Sequence, residues 1–148
     1  ALQEILRAGL YAPSGMGRQS VRILVVQEPA ALAALERLNG GVLGSPEAHP
    51  FYGAPTVCVV LADAAAFTAV EDGSLALGNL MNAAHSLGVA SCWIHRAREV
   101  FASAEGKALL QQWGVEGEWI GIGHCILGYA AEPEKPAAPR LEGRIVRI

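Results

Sequence analysis

With 148 residues, 52% of them hydrophobic and only 17% charged, the chain is one domain with enough apolar matter for a core that needs no disulfide or metal staple. A net charge of −3 without any cluster of Lys or Arg excludes nucleic acid or an anionic membrane surface as its main partner. No apolar run reaches the roughly 20 residues of a membrane helix, and the apolar surplus points instead to surface covered by a second subunit, hence a homodimer.

The chain opens at Ala1 directly in a helical pattern, Leu2, Ile5, Leu6 and Leu10, without an initiator Met or a capping residue in front, so its natural N-terminus is expected to lie upstream. Residues 2 to 10 read as a helix stopped near Gly9 and Pro13. Val21 to Gln27 read as a strand, and Pro29 to Leu38 as a helix with Pro in its first turn. Asn39 to Ala54, rich in Gly and Pro, reads as a loop. Pro55 to Ala62 reads as a Val-rich strand buried on both faces. Glu71 to Leu87 reads as a long helix, acidic at its start and small or apolar almost all round, which belongs at the centre of the fold or at an interface. Ala90 to His95 reads as a strand, Ser103 to Trp113 as a helix capped by Ser103, and Ile120 to Tyr129 as a strand. Pro133, Pro136 and Pro139 make 130–139 an extended arm, and the closing Arg144 to Ile148 alternates like a strand detached from the core. The order of elements predicts an α+β or α/β domain with a mixed sheet.

Cys58, Cys92 and Cys125 each lie in an apolar run and are odd in number, which reads as reduced core thiols and a reducing cytoplasm; no signal peptide is evident. Cys92, His95, His124 and Cys125 do not make a zinc site, because in strands Cys92 and His95 face opposite ways, as do His124 and Cys125. Gly121-x-Gly123 opens a strand and no helix follows, so it is no dinucleotide fingerprint. Without a Gly-x-Ser-x-Gly elbow, a serine hydrolase is poorly supported. His85 reads as a core or interface residue and His124 as a packing residue, and Trp93, Trp113 and Trp119 as core. His95 is balanced between a ligand neighbour and a solvent-facing strand end.

Three blocks carry a resemblance. They are Ala12-Pro13-Ser14-Gly15-Met16-Gly17-Arg18-Gln19; Glu71 to Leu80 running on to Ala84-His85-Ser86-Leu87-Gly88 and Ser91-Cys92-Trp93-Ile94-His95-Arg96; and Gly121 to Tyr129. In this order they resemble the nitroreductase family. The resemblance implies a mostly antiparallel sheet flanked by helices, in an intertwined homodimer whose C-terminal arm and strand, 129–148, cross to the partner. It implies FMN as cofactor and NADH or NADPH as donor. A quinone, nitroaromatic or similar small molecule then accepts the electrons in a ping-pong cycle. No side chain serves as an obligatory acid or base, and no metal is needed.

Carried over residue by residue, the resemblance assigns cofactor binding to Pro13, Ser14, Gly15, Arg18 and Gln19 from one subunit. Trp93, Ile94, His95 and Arg96 come from the other, their backbone donors facing the flavin edge, and Arg140 serves the phosphate. The chain departs from the family at Gly17, where Asn is common, at Ser20-Val21, where Pro-Trp is common, and at Leu141, where Lys is frequent. The family's arginine-bearing N-terminal segment would fall upstream of Ala1. These departures feed a second reading, a non-catalytic flavin or small-ligand binding protein on the same fold.

Overall fold

The computed structural model describes all 148 residues. Helix α1 (Leu2–Leu10) leads through a short 3₁₀ turn, Gly15–Gly17, into strand β1 (Val21–Val26), helix α2 (Pro29–Leu43) and strand β2 (Thr56–Asp63). Helix α3 (Ala69–Ser86), strand β3 (Ala90–Ile94), helices α4 (Ala97–Ala102) and α5 (Ala104–Gln112), and strand β4 (Trp119–Gly128) complete the order. The four strands form one sheet in the order β1-β2-β4-β3, and every pairing is antiparallel.

Helices cover both faces of the sheet, so the two central strands are buried and the alternation of β2 sorts its side chains cleanly. Val57, Val59 and Leu61 join a core with α2, α4 and α5 that includes Leu35, Val100, Phe101, Leu109 and Leu110. Cys58, Val60 and Ala62 join a second core with α1 and α3 that includes Ile5, Ala76, Leu77, Leu80 and Ala84. On α3 the buried positions Ala69, Asp72, Gly73, Ala76, Leu77, Leu80 and Ala84 recur at helical spacing, while Val70 and Leu75 stay exposed.

The Gly121-Ile122-Gly123 segment is a β-bulge. Val60 pairs with Gly123 and Leu61 with Gly121, which leaves Ile122 as the extra residue. The bulge resets the alternation of β4: Ile122 and Cys125, of opposite parity, both join the α1–α3 core. Both glycines are required by close approach, since a Cβ at Gly121 would run into the carbonyl of Ala97, and one at Gly123 into Leu77 and Trp93.

Helix α2 runs five residues beyond the predicted Leu38, because its stop is not the Asn39-Gly40-Gly41 run but Gly44. Gly44 takes φ 79° and closes the helix with bonds from its own N–H to the Gly41 carbonyl and from Ser45 N–H to the Gly40 carbonyl. Gly40 is buried, and the returning chain at Ser45 packs where its Cβ would stand. The short helix α4 lies where only a connection is expected.

Ser103 caps α5 as predicted, its hydroxyl accepting from Gly106 N–H at 3.0 Å. Residues 129–148 form no helix or strand and are exposed throughout, so the predicted strand at Arg144 to Ile148 does not form within one chain. A lone strand has no edge of its own to pair with there. No helix is long and apolar enough to cross a membrane.

Candidate functional site

The Pro13–Gln19 turn is tied down by a residue that composition did not single out. Asp72, in the first turn of α3 and 3% exposed, accepts from Gly15 N–H at 2.9 Å and from the Ser20 hydroxyl at 2.6 Å. Burial works to raise its pKa, but the bonds from Ser20, Gly15 and Thr68 outweigh burial and hold the carboxyl below its ordinary range. Gly15 sits so close to Thr68 that a Cβ would meet the Thr68 hydroxyl. Ser14 accepts from Gln19 N–H at 2.9 Å and closes the turn on itself.

Three demands for positive φ within four residues, at Met16 (56°), Gly17 (66°) and Gln19 (53°), make this a strained loop held by its neighbours. Gly17, a departure from the family's usual Asn, therefore suits its own backbone. Ser20, another departure, supplies the hydroxyl that locks Asp72. Pro13, Arg18 and Gln19 are exposed, and Ser14 and Gly15 half-buried.

The second candidate segment is the end of β3. Ile94 is 6% exposed and faces the α2–α4–α5 core, whereas Trp93, half-buried, lies against Gly123 on the opposite face. His95 is exposed, and Arg96 is half-buried at φ 75°. The N–H groups of His95 and Arg96 donate to no acceptor within the chain. Asn39, fully buried on α2, donates to the His95 carbonyl at 2.9 Å and accepts from Arg96 Nε at 2.8 Å. His124, also fully buried, has Nδ1 at 3.2 Å from the Ile94 carbonyl and packs near the rings of Phe51 and Phe101. Sequence reading placed Asn39 in a loop and so missed it. Its one signal was a polar residue one helical turn after the apolar Leu35, on the buried side of α2.

These two segments do not meet within one chain. They flank opposite edge strands, β1 and β3, with β2 and β4 between, a separation of about 14 Å at the usual strand spacing. They also differ in depth along the sheet: β3 ends with Ile94 opposite His124, midway along β4, whereas β1 starts with Val21 opposite Ala62, which itself lies opposite Ile120 near the start of β4. Arg140 stands on the exposed arm among Pro139, Leu141, Gly143, Arg144 and Ile145, in no ion pair and at neither turn.

Several packing expectations change. Cys92 is exposed, because β3 is an edge strand with an open face at that position, while Cys58 and Cys125 are buried, their thiols pushed up to about 12 by desolvation. His85 is exposed beside Glu134 of the arm at 3.8 Å, and not in the core, because it lies past the last buried position of α3. Trp93, Trp113 and Trp119 are only partly buried, though each packs against one of the two cores, and Trp119 also lies under the Arg22 guanidinium at 4.5 Å. No group of three or more His, Cys, Asp or Glu side chains is placed to hold a metal ion.

Solved structures resemble the whole chain. A nitroreductase with bound FMN from Bacteroides fragilis superimposes with a TM-score of 0.86 at 31% identity, covering 99% of this chain and 85% of its own. A nitroreductase with bound FMN from Desulfitobacterium hafniense gives a TM-score of 0.86 at 27% identity, with the same two coverages. An oxidized iodotyrosine deiodinase bound to FMN and 3-iodo-L-tyrosine shares the fold at a TM-score of 0.75 and 24% identity, covering 99% and 85%. No curated protein matches the sequence. The family model described as Nitroreductase family matches residues 1–129, from α1 through both candidate turns to the end of β4, and the chain belongs to that family.

Proposed function

We propose that the chain is an FMN-dependent oxidoreductase that works as a homodimer. In this reading it takes reducing equivalents from NADH or NADPH and passes them to a quinone, nitroaromatic or similar small acceptor in a ping-pong cycle. The observation that carries the reading is the pair of unpaired N–H groups at His95 and Arg96, adjacent donors just past the end of the edge strand β3.

The residues present fit FMN. A ring edge that gains negative charge on reduction is met best by preorganised backbone donors. The Pro13–Gln19 turn, with Gly15 pressed against Thr68 and Arg18 and Gln19 left free, offers donors and a cation to a partner's ligand. FMN, when bound, supplies the redox chemistry itself. The chain's part is to hold the ring and present donors at His95 and Arg96. From the second copy it offers Pro13, Ser14, Gly15, Arg18 and Gln19, while Arg140 meets the phosphate with its charge.

A dimer is supported by the placing of the two turns on opposite edges of one sheet. It is supported also by the exposed apolar set around the first turn, Leu10, Tyr11, Met16, Phe67 and Val70, and by an arm that forms no helix or strand and is exposed throughout. Free thiols fit a reducing cytoplasm.

The absorption spectrum of the purified protein, with FMN supplied, tests the proposal. Flavin absorbance that NADH or NADPH bleaches and a quinone restores is the expected result. A colourless protein that cannot be loaded with FMN overturns the reading, and a flavin-loaded protein inert to both nicotinamides leaves the binding protein as the correct one. Sedimentation at micromolar concentration is expected to show a dimer; a stable monomer overturns that part.

A further inference from the structure

A trans peptide unit is planar, and its C=O and N–H point in opposite directions. Fixing the Ile94 carbonyl therefore fixes where the His95 N–H points, and fixing the His95 carbonyl does the same for the Arg96 N–H. Both carbonyls are held from the core side by fully buried polar side chains far away in sequence, His124 at 3.2 Å and Asn39 at 2.9 Å. Neither N–H has an acceptor of its own in the chain.

The polarity of each clamp is decided by its surroundings. Burial holds the His124 ring neutral, with its pKa lowered to about 4, so the ring carries one proton. The carbonyl it faces draws that proton to Nδ1, and Nε2 is left buried without a partner. The Asn39 amide cannot flip without loss, because its Oδ1 accepts from Arg96 Nε at 2.8 Å. Asn39 thus bonds both sides of the His95–Arg96 step and stabilises Arg96 in the left-handed conformation at φ 75°.

We propose that Asn39 and His124 are positioning residues that aim the His95 and Arg96 N–H groups at the flavin edge, and so set how much more tightly the site holds reduced than oxidised FMN. This rests on the FMN reading above. Two merely structural hydrogen bonds would shift fold stability and the affinity for both redox states together. Aimed donors shift the ratio of the two affinities, because only the reduced ring carries the added negative charge.

The test uses the full chain loaded with FMN and reads the midpoint potential beside the affinity for oxidised FMN. N39L and H124F are each expected to lower the ratio of reduced to oxidised affinity about tenfold, a potential about 30 mV more negative for a two-electron couple, with oxidised FMN held nearly as before. H124Q, whose amide can still donate to the Ile94 carbonyl, is expected to recover most of the shift. N39D keeps an acceptor for Arg96 but has no donor for the His95 carbonyl, and is expected to match N39L. If a His124 variant does not fold, the Asn39 pair decides alone. Wild-type potentials in folded, FMN-loaded N39L and N39D overturn the proposal, as does a wild-type potential in N39D alone. A wild-type chain that takes up no FMN overturns the flavin reading itself and is scored before any variant.

Discussion

Asp72 Oδ1 receives the amide hydrogen of Gly15 at 2.9 Å across 57 positions of sequence, and its Oδ2 receives the Ser20 hydroxyl at 2.6 Å. One buried carboxylate thereby joins the start of α3 to both ends of the strained turn. D72A leaves Gly15 N–H and Ser20 without their charged acceptor and is expected to cost about 2–3 kcal/mol in urea unfolding. The same variant is expected to speed proteolysis within residues 13–19, since the positive φ values at Met16 and Gln19 lose their support. Wild-type cleavage of that turn in D72A would show that Ser14 alone suffices.

His124 gives the protein a pH dependence on the acid side. Its pKa is lowered to about 4 in the fold against an ordinary value of 6.5, so between these values the unfolded chain binds a proton that the folded chain does not. The stability His124 contributes is full above pH 6.5 and declines as the pH falls toward 4, at up to about 1.4 kcal/mol per pH unit. Unfolding titrations at pH 7, 6, 5 and 4.5 are expected to show this slope in the wild type and a flatter one in H124F. Asp72 acts in a lower window: its depressed carboxyl contributes stability above the ordinary carboxylate value, lost as pH falls through the folded one. An unchanged slope in H124F would mean that other groups govern the range.

His95 is exposed and its side chain makes no hydrogen bond within the chain, so the proposed function assigns its part to the backbone. H95A is expected to leave reduction by NADH largely intact in stopped flow and to alter the preference among acceptors. A collapse of the reductive half-reaction with FMN still bound would make the imidazole a proton donor. Proline at 96 is no clean probe of the neighbouring N–H, because Arg96 at φ 75° lies far from the −65° that proline imposes.

Arg140 is an unpaired cation on the arm, so its removal disturbs no internal contact. R140A is expected to weaken FMN retention by about 1.5–3 kcal/mol, the range of a charge-assisted hydrogen bond to phosphate, with unfolding unchanged. Equal FMN affinity in R140A and wild type, read by fluorescence titration, would remove Arg140 from the site.

All four strands of the sheet and the long helices are legible in the sequence, because period-2 and period-3.6 patterns are set by burial on known faces; the patterns leave α+β and α/β open, and the family resemblance chooses α+β. The Asn39 to Leu43 part of α2 was not. Glycine and asparagine read as breakers from local propensity, yet here Gly40 is chosen for packing against Ser45 and Asn39 for bonding His95 and Arg96. Gly121-Ile122-Gly123 was visible as an unusual run. Its meaning, a bulge that turns Ile122 against Gly73 and sets Gly121 against Ala97 and Gly123 against Leu77 and Trp93, depends on elements far away in sequence.

The sequence by itself determined the family through three short blocks in order, and named the two turns, because backbone-specific segments are written in Pro, Ser and Gly at fixed places. Only the tertiary structure decided what holds those turns. Asp72, Asn39 and His124 are ordinary polar residues in the chain, and their roles arise when folding removes water from them and leaves particular N–H, hydroxyl or carbonyl groups as the partners within reach. Such pairings span 57, 56 and 30 positions, a distance over which local sequence carries no record of the partner.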